Sequence, residues 1–106
     1  MFLMGWNADL PDPDNFLYAL LHGESAGDLN NAYYNDAEFN EVVKKAQTEL
    51  DAGKRKDLYA RAYARMRADL PVVPLVHVRQ IVALSRKVEY HLHPLEYRFF
   101  TASLRE

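Results

Sequence analysis

Trp6 and Asp9 stand three residues apart, just ahead of Pro11-Asp12-Pro13-Asp14-Asn15-Phe16, and put an aromatic ring and a carboxylate on one short segment. A carboxylate accepts charge-assisted N–H bonds and an indole offers its π face to the same positive charge, so the pair suits a cationic or amine-bearing ligand. Asn7, Ala8 and Leu10 complete the candidate ligand-binding segment. The competing reading is core packing for Trp6 and helix capping for Asp12. Asp9 and Asp12 together could also form a carboxylate pair for glycoside or proton-transfer chemistry, which needs two carboxyls in different environments. Asp12, however, sits in a capping position before Pro13, and no Ser/His/Asp order, phosphate-binding glycine loop or positioned nucleophile accompanies the pair. The residues therefore read as those of a binding protein rather than an enzyme.

The histidines are the other place to look for chemistry. His91 and His93 flank Leu92, so in an extended segment both rings point to one side, as a zinc or nickel site would want. No third ligand is identifiable, His22 and His77 are distant in sequence, and there is no His-Glu-x-x-His spacing. The four read as exposed or hydrogen-bonded structural histidines, with His77 partly buried on a strand, and neither a metal nor a cofactor is expected.

These residues need elements to position them. Phe2, Leu3, Met4 and Trp6 read as a short strand that Pro11 and Pro13 stop, while Asp12 caps a helix running from about Pro13 to His22. Phe16, Leu17, Leu20 and Leu21 give that helix its apolar face, and Gly23 suits its C′ position. Residues 24–33 mix Gly, Ser, Asp and Asn and read as a loop that could touch ligand, with Tyr33 and Tyr34 at its end able either to reach ligand or to pack. Asn35 and Glu38 form an Asn-x-x-Glu capping signature ahead of Phe39, Val42, Val43, Ala46 and Leu50 at helical spacing. After Asp51-Ala52-Gly53 the same period returns in Tyr59, Ala62, Tyr63, Met66 and Leu70 until Pro71 stops it. The two helices predict an antiparallel hairpin.

Beyond Pro71 the pattern turns extended: Val72, Val73, Leu75, Val76, Val78, Ile81, Val82 and Leu84 predict one or two strands covered by the hairpin. From Lys87 onward the signal weakens, with Tyr90, Leu92 and Leu95 as loop residues and Tyr97, Phe99 and Leu104 alternating in a last strand. The expected fold is α/β with an α+β tendency, a helical hairpin plus a short helix packed on a small mixed sheet, in a single domain over residues 1–106. These apolar runs exceed what three short helices can cover, which predicts a homo-oligomer, by default a symmetric dimer.

At 106 residues, with 49% hydrophobic residues, 26% charged residues and a formal charge of −2, the composition is that of a small soluble globular domain. Lys and Arg are interspersed with acidic residues, which argues against a nucleic-acid face. The chain has no Cys, which excludes disulfides, thiol catalysis and Cys-ligated zinc. Met1-Phe2-Leu3-Met4 has neither the basic nor the apolar region of a signal peptide, and the longest apolar runs are too short to span a bilayer.

Four stretches in order, Gly5-Trp6-Asn7-Ala8-Asp9-Leu10-Pro11-Asp12-Pro13-Asp14-Asn15-Phe16, Tyr34-Asn35-Asp36-Ala37-Glu38-Phe39, Arg55-Lys56-Asp57-Leu58-Tyr59-Ala60-Arg61-Ala62 and Asp69-Leu70-Pro71-Val72-Val73-Pro74-Leu75-Val76-His77, span nearly the whole chain. Together they resemble the C-terminal part of extracytoplasmic solute-binding proteins of the peptide/nickel class, the dipeptide- and oligopeptide-binding components of ABC importers. The resemblance implies a partial lobe of the two-lobed periplasmic-binding-protein fold, a periplasmic or extracytoplasmic location, a peptide or small-solute ligand, and a membrane permease as partner. By position it implies that Asp9 pairs with the α-amino group of a bound peptide and that Trp6 is the matching aromatic. The departures are Leu10 and Pro11, where many relatives carry Tyr, Asn or Gly, and Asn31, where an aromatic often follows Asn30; they bear on the ligand rather than the class. The class includes nickel binders by name, but no residue here carries that role over. The alternative is a truncated, self-associating interaction domain with no ligand of its own.

Overall fold

A proline already in helical geometry starts the first helix. Pro13 lies at φ −56° and ψ −27°, Asp12 Oδ1 accepts the Asp14 N–H at 2.9 Å, and α1 follows over Asp14–Leu21 with Leu17 and Leu21 buried. This is a computed structural model; it describes residues 2–77, 79, 81–93 and 98–104, in two units, Met1–Pro74 and Leu75–Glu106.

In the first unit, α1 ends at an extended His22 as C-cap, so Gly23 stands at the C′ position as expected, but without a left-handed backbone: Gly23–Ser25 forms a single 3₁₀ turn. The loop that follows is organised by Asn30, which is fully buried. Its Nδ2 donates to the carbonyls of His22 at 3.0 Å and Tyr34 at 2.8 Å, and its Oδ1 accepts the Tyr34 N–H at 3.2 Å. A buried amide with its donors and acceptor engaged holds irregular backbone as a ladder would.

Helix α2 spans Ala37–Thr48 and α3 spans Ala52–Asp69. The α2 cap is Asp36, whose Oδ1 accepts the Phe39 N–H at 2.8 Å; Asn35, expected in that role, instead accepts from Asn40 Nδ2 at 2.7 Å. The capping residue lies three before the donor it serves, and the shorter carboxylate one residue later meets that spacing. Asp51 caps α3 through the Lys54 N–H at 2.8 Å, and Leu70 closes it in the left-handed conformation at φ 48° before Pro71. Arg65 pairs with Asp36 at 2.9 Å at one end, while Arg55 Nε donates to the Ala46 carbonyl at 3.0 Å at the other, so the two helices run antiparallel as predicted.

Phe39, Val42, Val43 and Ala46 from α2 meet Tyr59 and Ala62 from α3 and Leu17 and Leu21 from α1 in one core, with Met66 and Val72 packed at its edge. Four members of the predicted stripes fall outside it: Leu50 is 98% exposed, and Phe16, Tyr63 and Leu70 are exposed as well.

The strand predictions need correction. Residues 2–6 form no strand, none of the described residues of 72–84 lies in a strand, and Val73, Leu75, Val76, Ile81, Leu84 and His77 are exposed. A β-branched run reports that a backbone is suited to a ladder, but the ladder also needs a neighbouring strand. The strands that do form are in the second unit, β1 (Val88–Glu89) and β2 (Ser103–Leu104), antiparallel with Val88 opposite Leu104 and Glu89 opposite Ser103. A 3₁₀ turn at Phe99–Thr101 precedes β2, and the Tyr90 and Phe99 rings lie 6.1 Å apart. Phe99 is thus in a turn rather than a last strand, while Leu95, Tyr97 and Val78 lie outside the described residues. The fold is helix-rich with a small two-stranded antiparallel sheet, compatible with an α/β fragment.

Candidate functional site

The segment before α1 has no regular structure and bends over residues 9–12, and one side chain ties it to the helix. Asn15, in the first turn of α1, presents Oδ1 to the Trp6 Nε1–H at 3.3 Å and to the Asp9 backbone N–H at 3.2 Å. Trp6 is half-buried, Ala8 is buried, and Asn7, Asp9 and Leu10 are exposed. The structure therefore ties Trp6 and Asp9 to a common acceptor and leaves the Asp9 carboxylate at the surface. Among the described residues no hydrogen bond or ion pair engages that carboxylate. The strand end expected to hold Trp6 and Asp9 is absent, and the Asn15 clamp takes its place.

Asp12 is committed elsewhere. Besides the Asp14 N–H, it takes Arg55 Nη2 on Oδ2 at 2.8 Å and the Tyr59 hydroxyl on Oδ1 at 3.4 Å. Burial pushes its pKa up, but the Asp14 N–H bond and the Arg55 guanidinium outweigh it and hold the carboxyl below its ordinary value. Arg55 also donates to the Tyr59 hydroxyl at 3.1 Å and lies 5.1 Å from the Tyr59 ring centroid. Two carboxylates three residues apart thus have different fates: Asp12 is neutralised in an internal network, Asp9 is available. That division does not suit a catalytic pair.

The loop tyrosines also separate. Tyr33 is exposed at φ 53°, whereas Tyr34 packs edge-on to Phe39 with ring centroids 5.2 Å apart and donates to Asp69 Oδ2 at 2.8 Å. Burial first, then the Asp69 carboxylate, raises the Tyr34 pKa. Tyr34 is a strut between the loop and the end of α3.

His22 is 3% exposed; its Nδ1 accepts the Glu24 N–H at 3.1 Å and its ring stacks on Tyr18 at 4.6 Å. Nδ1 as acceptor makes the ring neutral with its proton on Nε2, an atom with no hydrogen-bond partner among the described residues. Burial lowers the His22 pKa. His91 is exposed and His93 half-buried, and among the described residues no three His, Cys, Asp or Glu side chains cluster as a metal site would require. Nor is any described helix long and apolar enough to cross a membrane.

Asn15, Asn30 and Arg55 carry structural roles that the sequence pattern did not single out. A readable signal existed only for Asn15, a side-chain amide in the first turn of a helix just beyond a paired proline turn.

The chain is similar to proteins that bind peptides. It is 40% identical over 76 residues to Di/tripeptide-binding protein 1 of Pseudomonas aeruginosa, covering 71% of this chain and 14% of that protein. It is 35% identical over 72 residues to the oligopeptide-binding protein OppA of Bacillus subtilis, covering 68% and 13%. It is also 32% identical over 99 residues to Heme-binding protein A of Haemophilus influenzae, covering 92% and 18%. The chain thus spans less than a fifth of the length of these curated relatives. No family model matches it.

Proposed function

Because the chain belongs to the family of peptide-type extracytoplasmic solute-binding proteins, of which it matches a segment, we propose that it forms part of a ligand cleft in which Asp9 anchors the α-amine of a bound peptide. The observation that carries this reading is the contrast between the two carboxylates: Asp12 is consumed by Arg55, Tyr59 and the Asp14 N–H, while the Asp9 carboxylate is exposed and uncommitted on a segment whose backbone is held. An ammonium group docking there gains a charge-assisted bond and can approach the Trp6 ring. In this reading Trp6 shapes the site, and Leu10 and Asn7 line it.

In this reading the chain is the C-terminal segment of a longer two-lobed receptor and contributes to one lobe. The receptor works outside the cytoplasmic membrane, binds its solute without chemical change and hands it to the permease of an ABC importer. The relatives' names support a transport-related binding role; one relative from Haemophilus influenzae is named as a peptide transport periplasmic protein.

Calorimetry tests the anchor. Replacing Asp9 by Ala in the complete binding protein removes a charge-assisted contact worth about 1.5–3 kcal/mol, so affinity for a free-amine dipeptide should drop roughly tenfold or more, while an N-acetylated dipeptide loses little. Unchanged affinity for the free amine rejects Asp9 as the anchor.

A second reading, self-association, is favoured by the exposure of Val73, Leu75, Val76, Ile81 and Leu84 along one stretch of chain. Pairing through a strand edge does not support it, because 72–77 form no strand. Light scattering decides: a monomeric mass at tens of micromolar removes this reading.

A further inference from the structure

Two groups that a ligand amine would meet depend on a single atom. Asn15 Oδ1 accepts both the Trp6 Nε1–H at 3.3 Å and the Asp9 N–H at 3.2 Å. An amide oxygen has two lone pairs, so these two bonds use its accepting capacity in full. Asn15 is itself fixed, since its own N–H donates to the Asp12 carbonyl at 3.1 Å as the first turn of α1 forms, and Asp12 is locked in turn by Arg55 and Tyr59. The chain of support runs from the helical hairpin through Arg55, Asp12 and the α1 backbone to the Asn15 oxygen.

We propose that Asn15 is a positioning residue for the ligand site: by holding the indole and the Asp9 backbone to one point, it presents the carboxylate and the π face to the same ligand cation. The inference rests on the reading of Asp9 as the amine anchor. Holding the segment in place before the ligand arrives reduces the ordering that binding must otherwise impose, so the clamp acts on affinity and on amine selectivity rather than through a contact with ligand. Residue type matters at this position. Leu matches Asn15 in size and accepts nothing, whereas Asp keeps an oxygen at the same place.

The test uses Asn15→Leu, Asn15→Asp and Asp9→Asn, with the dipeptide Ala-Ala and its N-acetylated form as probes on the complete binding protein. The Trp6 indole N–H resonance, assigned in the complete protein by its loss in Trp6→Phe, reports the clamp directly. The expected result is that Asn15→Leu moves that resonance, weakens Ala-Ala binding about tenfold and narrows the preference for Ala-Ala over N-acetyl-Ala-Ala, while Asn15→Asp restores all three. A residue that serves stability alone would lower the melting temperature and leave both the affinity of the folded protein and its amine preference unchanged, and that result overturns the proposal. An indole resonance unmoved by Asn15→Leu overturns it too. If Asp9→Asn leaves Ala-Ala binding intact, the anchor reading itself falls and the positioning role with it; if Asp9→Asn weakens binding and Asn15→Leu does not, only the positioning role falls.

Discussion

Arg55 Nη2 lies 2.8 Å from Asp12 Oδ2, joining the start of α3 to the turn that launches α1 across 43 residues of sequence. The same guanidinium donates through Nε to the Ala46 carbonyl, near the C-terminal end of α2. One side chain therefore fastens all three helices of the first unit near the candidate segment. Planar, multidentate donation of this kind is specific to Arg; a Lys supplies one point charge and cannot serve both acceptors with the same geometry.

Arg55→Lys should accordingly behave more like Arg55→Ala than like the native chain, with both lowering the thermal midpoint and increasing hydrogen exchange at the Asp14 amide. Because the ordinary Asp value is about 3.8 and Asp12 is held below it, the stabilisation from this pair is complete above that value and is lost as pH falls through the lower, folded-state value. Melting curves between pH 2 and 6 check this. If Arg55→Ala melts like the native chain at pH 6, the pair contributes nothing.

The core separates residues that the helical period treated alike. Phe39 is fully buried and Leu50 is 98% exposed, though both lie on the predicted stripe. Phe39→Ala should cost about 3–5 kcal/mol, while Leu50→Ser should stay within about 0.5 kcal/mol. Since small domains have only about 5–15 kcal/mol in total, Phe39→Ala is expected to blur or abolish the cooperative transition seen by circular dichroism. Equal effects at the two positions would refute the packing.

How far the sequence could be read follows from the range of the signal. The helical period, the two aspartate and proline punctuations and the Trp-x-x-Asp segment are local, and the helices stand where those signals put them. The cap shifted from Asn35 to Asp36, because Asn35-x-x-Glu38 and Asp36-x-x-Phe39 are adjacent frames and only the backbone position of the Phe39 N–H chooses between them. The run from Val72 to Leu84 has the composition of strands, but composition carries no information about which backbone would lie beside it. Asn15 and Arg55 escaped for another reason: their importance lies in partners 6 to 43 residues away, and no periodicity marks such a pairing.

His22 should give the first unit a pH dependence in the mildly acidic range. Burial depresses its pKa from the ordinary value of about 6.5, with Lys44 pushing the same way and Glu24 and Asp14 opposing. The folded state therefore binds fewer protons than the unfolded state below that value. Stability is complete above about pH 6.5 and falls as pH drops toward the folded-state pKa, with a slope below the one-proton limit of about 1.4 kcal/mol per pH unit. His22→Asn keeps an acceptor for the Glu24 N–H and removes the titration, so the difference between the two proteins isolates this residue from His77, His91 and His93. Denaturant melts at pH 5, 6 and 7 whose midpoints shift identically in both would rule His22 out as the source.

Gly23 offers a prediction whose size can be changed by design. Its need for glycine is not a left-handed backbone but crowding, since a Cβ there would stand 2.1 Å from Asn35 Oδ1 and 2.9 Å from Asn40 Nδ2. Asn40 also holds this turn by accepting the Gly23 N–H at 3.0 Å, and it donates to Asn35 Oδ1 at 2.7 Å. Ala at position 23 must push the exposed Asn35 side chain aside and break the Asn40 to Asn35 bond, at a cost of about 1–2 kcal/mol. Once Asn35 is replaced by Ala, the two nearest obstacles are gone and only the Asn40 amide, freed of its Asn35 partner, has to shift, so Gly23→Ala should cost clearly less than in the native chain. A double-mutant cycle read by chemical denaturation measures the coupling, which should be at least about 1 kcal/mol. Additive effects would mean that the clash is relieved by backbone movement and that Asn35 is not what requires a glycine at this turn.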